Sequence, residues 1–190
     1  MTTWFTADNH FGHGNIIEYT KRPFTSVEEM DEEMANRWNE RVKPSDLVYH
    51  LGDFTLSNFK GFEYYLNKLN GIIFFIPGGH DHRWLSSYKK NGSDSKFTVL
   101  ERLITVNVRN LELVLCHYPL LTWEKSYYDV IHLHGHSHGN VGCIGRSGEG
   151  SAGVKPGYRM DIGVDCNNFY PISITDILNR IDAYEGVVKV

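Results

Sequence analysis

Apolar residues follow two rhythms along this chain. Val27, Met30, Met34, Trp38 and Val42 recur every three or four positions, the spacing that lays one stripe along an α-helix. Ser26 with Glu29 three residues later is a helix-capping signature. The pattern therefore predicts a helix whose Met30, Met34 and Trp38 enter the core. A second helix is predicted after Ser57, carrying Phe59, Phe62, Leu66 and Leu69 and stopped by Gly71. A last one, capped by Ser173 with Asp176, carries Ile177, Leu178 and Ile181. Short helices are predicted at 15–19, ended by Arg22-Pro23-Phe24, and around Trp84 to Tyr88.

The other rhythm is a set of short β-rich runs bounded by Gly, Pro or Asn. These are Thr3 to Ala7, Leu47 to Leu51, Ile72 to Ile76, Leu103 to Val108, Leu111 to Cys116, Val130 to His134 and Met160 to Val164. The unbroken apolar run Ile72 to Ile76 suits a strand buried on both faces. Arg109-Asn110 suits a tight hairpin turn, and Val187 to Val190 suits an edge strand. Gly139 to Gly157 holds seven glycines and one proline and is predicted to be an irregular loop. Strands and helices alternate with no repeat and no linker. The expectation is one α/β domain over residues 1–190.

Composition narrows the classes. Hydrophobic residues make up 41% and charged residues 22%, as in ordinary globular domains. A net charge of -4 supplies no basic field for bulk nucleic-acid binding, although a local site for a small phosphorylated substrate stays open. The densest apolar run is far too short for a bilayer. Met1-Thr2-Thr3-Trp4 carries no secretion signal pattern, so neither membrane nor export is expected. Cys116, Cys143 and Cys166 are widely spaced and form no CxxC. That argues against a disulfide framework or structural zinc, and for a cytoplasmic protein.

Histidine changes the picture. His132, His134, His136 and His138 alternate within seven residues, so an extended backbone would show them on one face. None of the ten histidines lies beyond His138. Five predicted strand ends deliver ligand-type residues: Asp8 with His10, Asp53, His80 with Asp81, His117, and His136 with His138. In α/β folds the crevice beyond the strand carboxyl ends is where ligands bind. A mixed carboxylate–imidazole set suits Mn, Fe, Zn, Co or Ni better than Mg or Ca. No Gly-x-Ser-x-Gly elbow or cysteine motif supports covalent catalysis. His13, Arg22, Asn39, Arg83 and Arg146 are candidate substrate contacts, whereas His50, His82, His132 and His134 are read as supporting residues.

Taken in order, Asp8-Asn9-His10, Gly52-Asp53, Gly78-Gly79-His80-Asp81, His117 and Gly135-His136-Ser137-His138 resemble the calcineurin-like metallophosphoesterase superfamily. Its pattern is DxH, GD, GNH(D/E), H and GHxH. The neighbouring Phe11-Gly12-His13, Arg22-Pro23-Phe24 and Tyr49 to Phe54 look like small single-domain bacterial and phage members. The resemblance implies two packed β-sheets (a β-sandwich) flanked by helices in four layers, with the site at the strand C-terminal ends. It implies two divalent transition-metal ions, one on Asp8, His10, Asp53 and His138, the other on Asp53, His117 and His136. It implies hydrolysis of a phosphate ester by a metal-bridging hydroxide, a phosphodiester or cyclic nucleotide being preferred to a monoester. His80 would protonate the leaving oxygen and Asp81 would orient His80. One position departs from the pattern. Gly79 stands where the family has Asn, so the second ion loses a ligand and is expected to bind more weakly. The competing reading is a metal-binding interaction scaffold with weakened catalysis. Gly79 favours it, while the presence of His80 and every other ligand opposes it.

Overall fold

Two five-stranded sheets share one apolar interior in the computed structural model, which describes residues 1–57, 60–91, 95–128, 130–148 and 156–188. The strands are β1 (Thr3–Thr6), β2 (Leu47–His50), β3 (Ile72–Phe75), β4 (Phe97–Val99), β5 (Leu103–Val108), β6 (Leu111–Cys116), β7 (Ile131–His134), β8 (Ile144–Arg146), β9 (Tyr158–Asp161) and β10 (Ile172–Ser173). The helices are α1 (Asn15–Tyr19), α2 (Val27–Arg41), α3 (Phe62–Leu66), α4 (His82–Asn91) and α5 (Ile174–Val188). One sheet runs β10-β1-β2-β3-β4 and the other β5-β6-β7-β9-β8. The architecture is thus α/β with two mixed sheets.

Side-chain alternation divides the core. Val48, Ile73 and Phe75 pack with Met30, Met34 and Trp38 of α2. Phe5, Leu51 and Ile76 pack with Leu113, Leu115, Leu133 and Met160 of the other sheet and Ile177 of α5. The strand at 72–75 is therefore not equally buried on its two faces, since Ile72 and Phe74 stay half-buried. Two strand groups matter for the site: β1, β2 and β3 run parallel, and so do β6, β7 and β9. Each group therefore ends its strands at one edge. Backbone bonds then stitch those edges together, from Asp8 N to Gly52 O, Gly135 N to His117 O and Val164 N to Ala7 O.

Local chemistry accounts for the element ends. Ser26 Oγ accepts from Glu29 N, while the Glu29 carboxylate turns to Thr25. Ser173 and Asp176 cap α5 reciprocally. Arg109 and Asn110 both adopt left-handed backbone, with φ of 49° and 64°, as a two-residue hairpin turn requires. Ser57 does not cap α3: its Oγ accepts from Lys60 N, and α3 begins only after Gly61. Phe59 lies outside the described residues. The glycine-rich stretch is not wholly irregular, because β8 pairs antiparallel with β9; residues 149–155 lie outside the described set. Residues 187–188 continue α5 instead of forming an edge strand, and 189–190 lie outside the described set.

The cysteine expectation is corrected. Cys143 and Cys166 form a disulfide across a sequence separation of 23. The fold lays the chain before β8 against the turn after β9, a proximity no cysteine spacing announces. The cysteines consequently offer no argument for a reducing compartment. No helix among the described residues is long and apolar enough to cross a membrane.

Candidate metal centre

Each ligand-type residue leaves a parallel strand at its carboxyl end. Asp8 and His10 follow β1, Asp53 follows β2, His80 follows β3, His117 follows β6, and His136 and His138 follow β7. Two groups form. One ligand atom each from Asp8, His10 and His138 lie within 4.8 Å of one another, and so do atoms from Asp53, His117 and His136. Asp53 faces both groups: its Oδ2 is 3.3 Å from His117 Nε2 and 3.8 Å from His10 Nε2.

The backbone is bent hard to achieve this. Asp8, His10, Asp53, His136 and His138 have φ of 59°, 53°, 55°, 67° and 47°. Left-handed backbone at non-glycine residues costs about 1–3 kcal/mol each and concentrates at functional sites. Gly135 serves by close approach instead. A Cβ there would lie 2.5 Å from Asp8 Oδ2, the oxygen that accepts from His136 N.

Burial and charge point to cations. Asp8, His10, Asp53 and His117 are almost wholly buried. Asp8 Oδ1, both His10 ring nitrogens and His117 Nε2 have no hydrogen-bond partner among the described residues. Such atoms cost about 1–3 kcal/mol each when left unsatisfied, and lone pairs converging from carboxylate and imidazole are what a divalent transition metal accepts. The residues present fit such ions. Burial pushes the Asp8 carboxyl up to about 7 against the pull of His117 and His138. Burial acts likewise on Asp53, but its contact with His117 outweighs it and holds that carboxyl well below the usual range. Burial pulls the His117 imidazolium down, yet Asp53 and Asp8 hold it up at about 9. The paired carboxylates thus demand nearby positive charge.

A supporting layer holds the ligands. His117 Nδ1 donates to Leu51 O at 2.6 Å, leaving Nε2 for the centre. His138 Nδ1 meets Asp165 Oδ2 at 2.7 Å. Asp161 accepts from Ser137 Oγ, Gly139 N and Gly163 N, bracing the turn that carries His136 and His138. Asp165 and Asp161 were not singled out from sequence. The available signal was a further Gly-flanked strand end, Gly163-Val164-Asp165. His132 and His134 lie within β7, where His132 Nδ1 donates to Val114 O and accepts Leu120 N at Nε2, and His134 Nδ1 meets Gly135 O.

Several sequence expectations find other placements. Arg22 is no substrate contact: its buried guanidinium donates to Asp8 O, Asn9 O and both Asp165 oxygens. Asp81 does not orient His80. Its carboxylate accepts from Asp53 N, Gly78 N, Phe54 N and Trp84 Nε1, pinning the two loops together. Asn39 bonds Lys68 O and Asn70 N, and Arg146 bonds Pro156 O and Tyr158, so neither reaches the centre. His80 is half-exposed, with its N–H on Asp53 Oδ1 and its Nε2 4.0 Å from Asp53 Oδ2. His13 and Arg83 line, with His80, Lys60, His82 and Trp84, a cleft of about 540 Å³ in which no carboxylate among the described residues takes part.

The fold and the clusters define a two-sheet α/β protein with paired Asp/His groups able to hold metal. No family model matches the chain. It is 33% identical over 182 residues to the uncharacterized protein MJ1445 of Methanocaldococcus jannaschii, covering 94% of this chain and 90% of that protein, and it belongs to the same family. Among solved structures, the protein of unknown function AQ665 from Aquifex aeolicus aligns over 94% of this chain and 98% of its own at a TM-score of 0.66 and 23% identity, which shows a shared fold. A novel archaeal phosphodiesterase aligns over 86% of this chain and 84% of its own at a TM-score of 0.42 and 19% identity.

Proposed function

We propose that residues 1–190 form one catalytic domain of the calcineurin-like metallophosphoesterase type, hydrolysing a phosphate ester with two divalent ions. The observation that carries this reading is Asp53 Oδ2, set between the His117 and His10 nitrogens at 3.3 and 3.8 Å. A carboxylate there can serve two cations at once. In this reading Asp8, His10, Asp53 and His138 hold one ion, and Asp53, His117 and His136 the other. Mn, Fe, Zn, Co or Ni suits these donors. Such a pair, when bound, supplies an activated water and clamps the attacking and leaving oxygens for in-line displacement at phosphorus.

The chain's own groups do the rest. His80 lines the cleft, half-exposed and with Nε2 4.0 Å from Asp53 Oδ2, a placement from which it would deliver a proton to the leaving oxygen. A cleft with no carboxylate among its described lining residues suits an anionic ester, with His13 and Arg83 as contacts. Its volume leaves room for a leaving group beyond the phosphoryl centre, which favours a phosphodiester or cyclic nucleotide over a small monoester. The remaining cysteine thiol, Cys116, is buried and is assigned no part.

Hydrolysis of p-nitrophenyl phosphate and bis-p-nitrophenyl phosphate by the Mn-loaded protein tests the reading. Turnover is expected, with the diester faster. Two bound ions and no turnover of either compound would favour the second reading, an interaction scaffold, for which Gly79 in place of a ligand is the specific observation.

A further inference from the structure

Position 79 offers no side chain to the second cluster, yet the space beside it holds one polar group. A Cβ built on Gly79 would meet the Tyr118 hydroxyl at 3.1 Å and, among the described residues, no other atom within 4 Å beyond its chain neighbours. Gly79 itself precedes His80, whose N–H donates to Asp53 Oδ1, so the hydroxyl stands over the loop that borders this cluster. The Tyr118 ring is held edge-on against both imidazoles of the cluster, with centroids 4.8 Å from His117 and 4.7 Å from His136. Its backbone is held as well, because His132 Nε2 accepts from Leu120 N just beyond it. Tyr118 is 38% exposed, and its hydroxyl has no hydrogen-bond partner among the described residues. An aromatic O–H held in place beside a candidate cation site is poised to donate to an oxyanion.

We infer that Tyr118 is a substrate-binding residue whose phenolic O–H donates to the phosphoryl oxygen held at the Asp53, His117 and His136 cluster, in the place that Gly79 leaves empty. This rests on the phosphoesterase reading. It also bears on the glycine, since a side chain at 79 would press on that hydroxyl and shift it by a few tenths of an ångström.

The test compares native protein, Tyr118→Phe, Gly79→Asn and Gly79→Asn/Tyr118→Phe by calorimetric titration with Mn²⁺ and then, on the Mn-loaded forms, with inorganic phosphate. Tyr118→Phe should bind Mn²⁺ within about twofold of native and phosphate about tenfold more weakly, as expected for one hydrogen bond to a charged group. Gly79→Asn alone should also weaken phosphate binding by crowding Tyr118. The double variant should recover most of the loss, because the amide enters the freed space. Native-like phosphate affinity in Tyr118→Phe would overturn the inference and leave the phosphoesterase reading standing, as would a parallel loss of Mn²⁺, which marks a merely structural role. Failure of the native protein to bind Mn²⁺ or phosphate overturns the reading and the inference together.

Discussion

Asp165 Oδ2 lies 2.7 Å from Nδ1 of His138, and Arg22 grips the same carboxylate through two nitrogens, each at 2.9 Å. Burial pulls the His138 imidazole down, and the bond to Asp165 more than reverses it. Burial likewise pushes Asp165 up, and His138 with Arg22 holds it well below the usual range. The chain Arg22–Asp165–His138, anchored on a buried guanidinium, therefore orients one ligand of the first cluster and raises its basicity. Asp165→Asn should weaken first-cluster Mn²⁺ binding about 10–100-fold, the usual cost of losing such a partner, with the second cluster little changed. Two-site calorimetry reads this directly; unchanged affinity at both sites would rule the role out.

Gly135→Ala should be worse than its size suggests. The added methyl would enter 2.5 Å from Asp8 Oδ2 and 2.6 Å from the Ala7 side chain. Neither neighbour can retreat, because both sit in the packed seam between the sheets. Loss of one of two bound ions, with most secondary structure kept by circular dichroism, is the expected result. A variant that still binds two ions would contradict the close-approach argument.

His80→Asn should discriminate between leaving groups. A proton donor matters most where the leaving oxygen is basic, and such transfer contributes about 10²–10⁴-fold. Turnover of an alkyl phosphodiester should fall far more than turnover of a p-nitrophenyl ester. Equal losses on the two substrates would argue against His80 as the donor.

The disulfide should contribute to stability. Closing a loop with a sequence separation of 23 corresponds to about 3 kcal/mol in the chain-entropy model. Cys143→Ser/Cys166→Ser should lose about that much in urea unfolding, and dithiothreitol should produce the same loss in the native protein. No change with either treatment would show that the bond does not form in solution.

His132 makes the protein sensitive to acid. Burial pulls its imidazole down to about 4 from an ordinary 6.5, and its Nε2 is already accepting Leu120 N. The unfolded chain takes up this proton first as pH falls. The stabilisation is complete above pH 6.5 and is lost progressively as pH drops toward 4. At pH 5 the loss is about 2 kcal/mol. Urea unfolding at pH 7.5 and pH 5 should show it, and His132→Gln should be less stable at pH 7.5 but flatter by that amount. An unchanged slope in the variant would sink the assignment.

Strand ends were legible because they depend on local pattern. An apolar run, a break and then Asp or His suffice to mark Asp8, His10, Asp53, His117, His136 and His138, and the structure brings those six into two groups. Helix caps at Ser26 and Ser173 were legible for the same reason. The two-residue β10 and three-residue β4 were not, being too short for periodicity to register. Strand β8 was hidden by glycines and exists through its pairing with β9.

Residue types alone misplace Arg22 and Asp81. A buried guanidinium and a surface one look the same in sequence, as do a carboxylate that serves a histidine and one saturated by four N–H donors. What separates them is partners contributed from far along the chain, such as Asp165 for Arg22 and Asp53 with Phe54 for Asp81. By itself the sequence determined which side chains can ligate and that they leave strands at one kind of end, because side-chain chemistry and strand periodicity are local. Only the tertiary structure decided that Asp53 stands between the two groups, that the Tyr118 hydroxyl lies beside Gly79 and that Cys143 meets Cys166. Those are distances between residues remote in sequence, and they exist only once the two sheets pack.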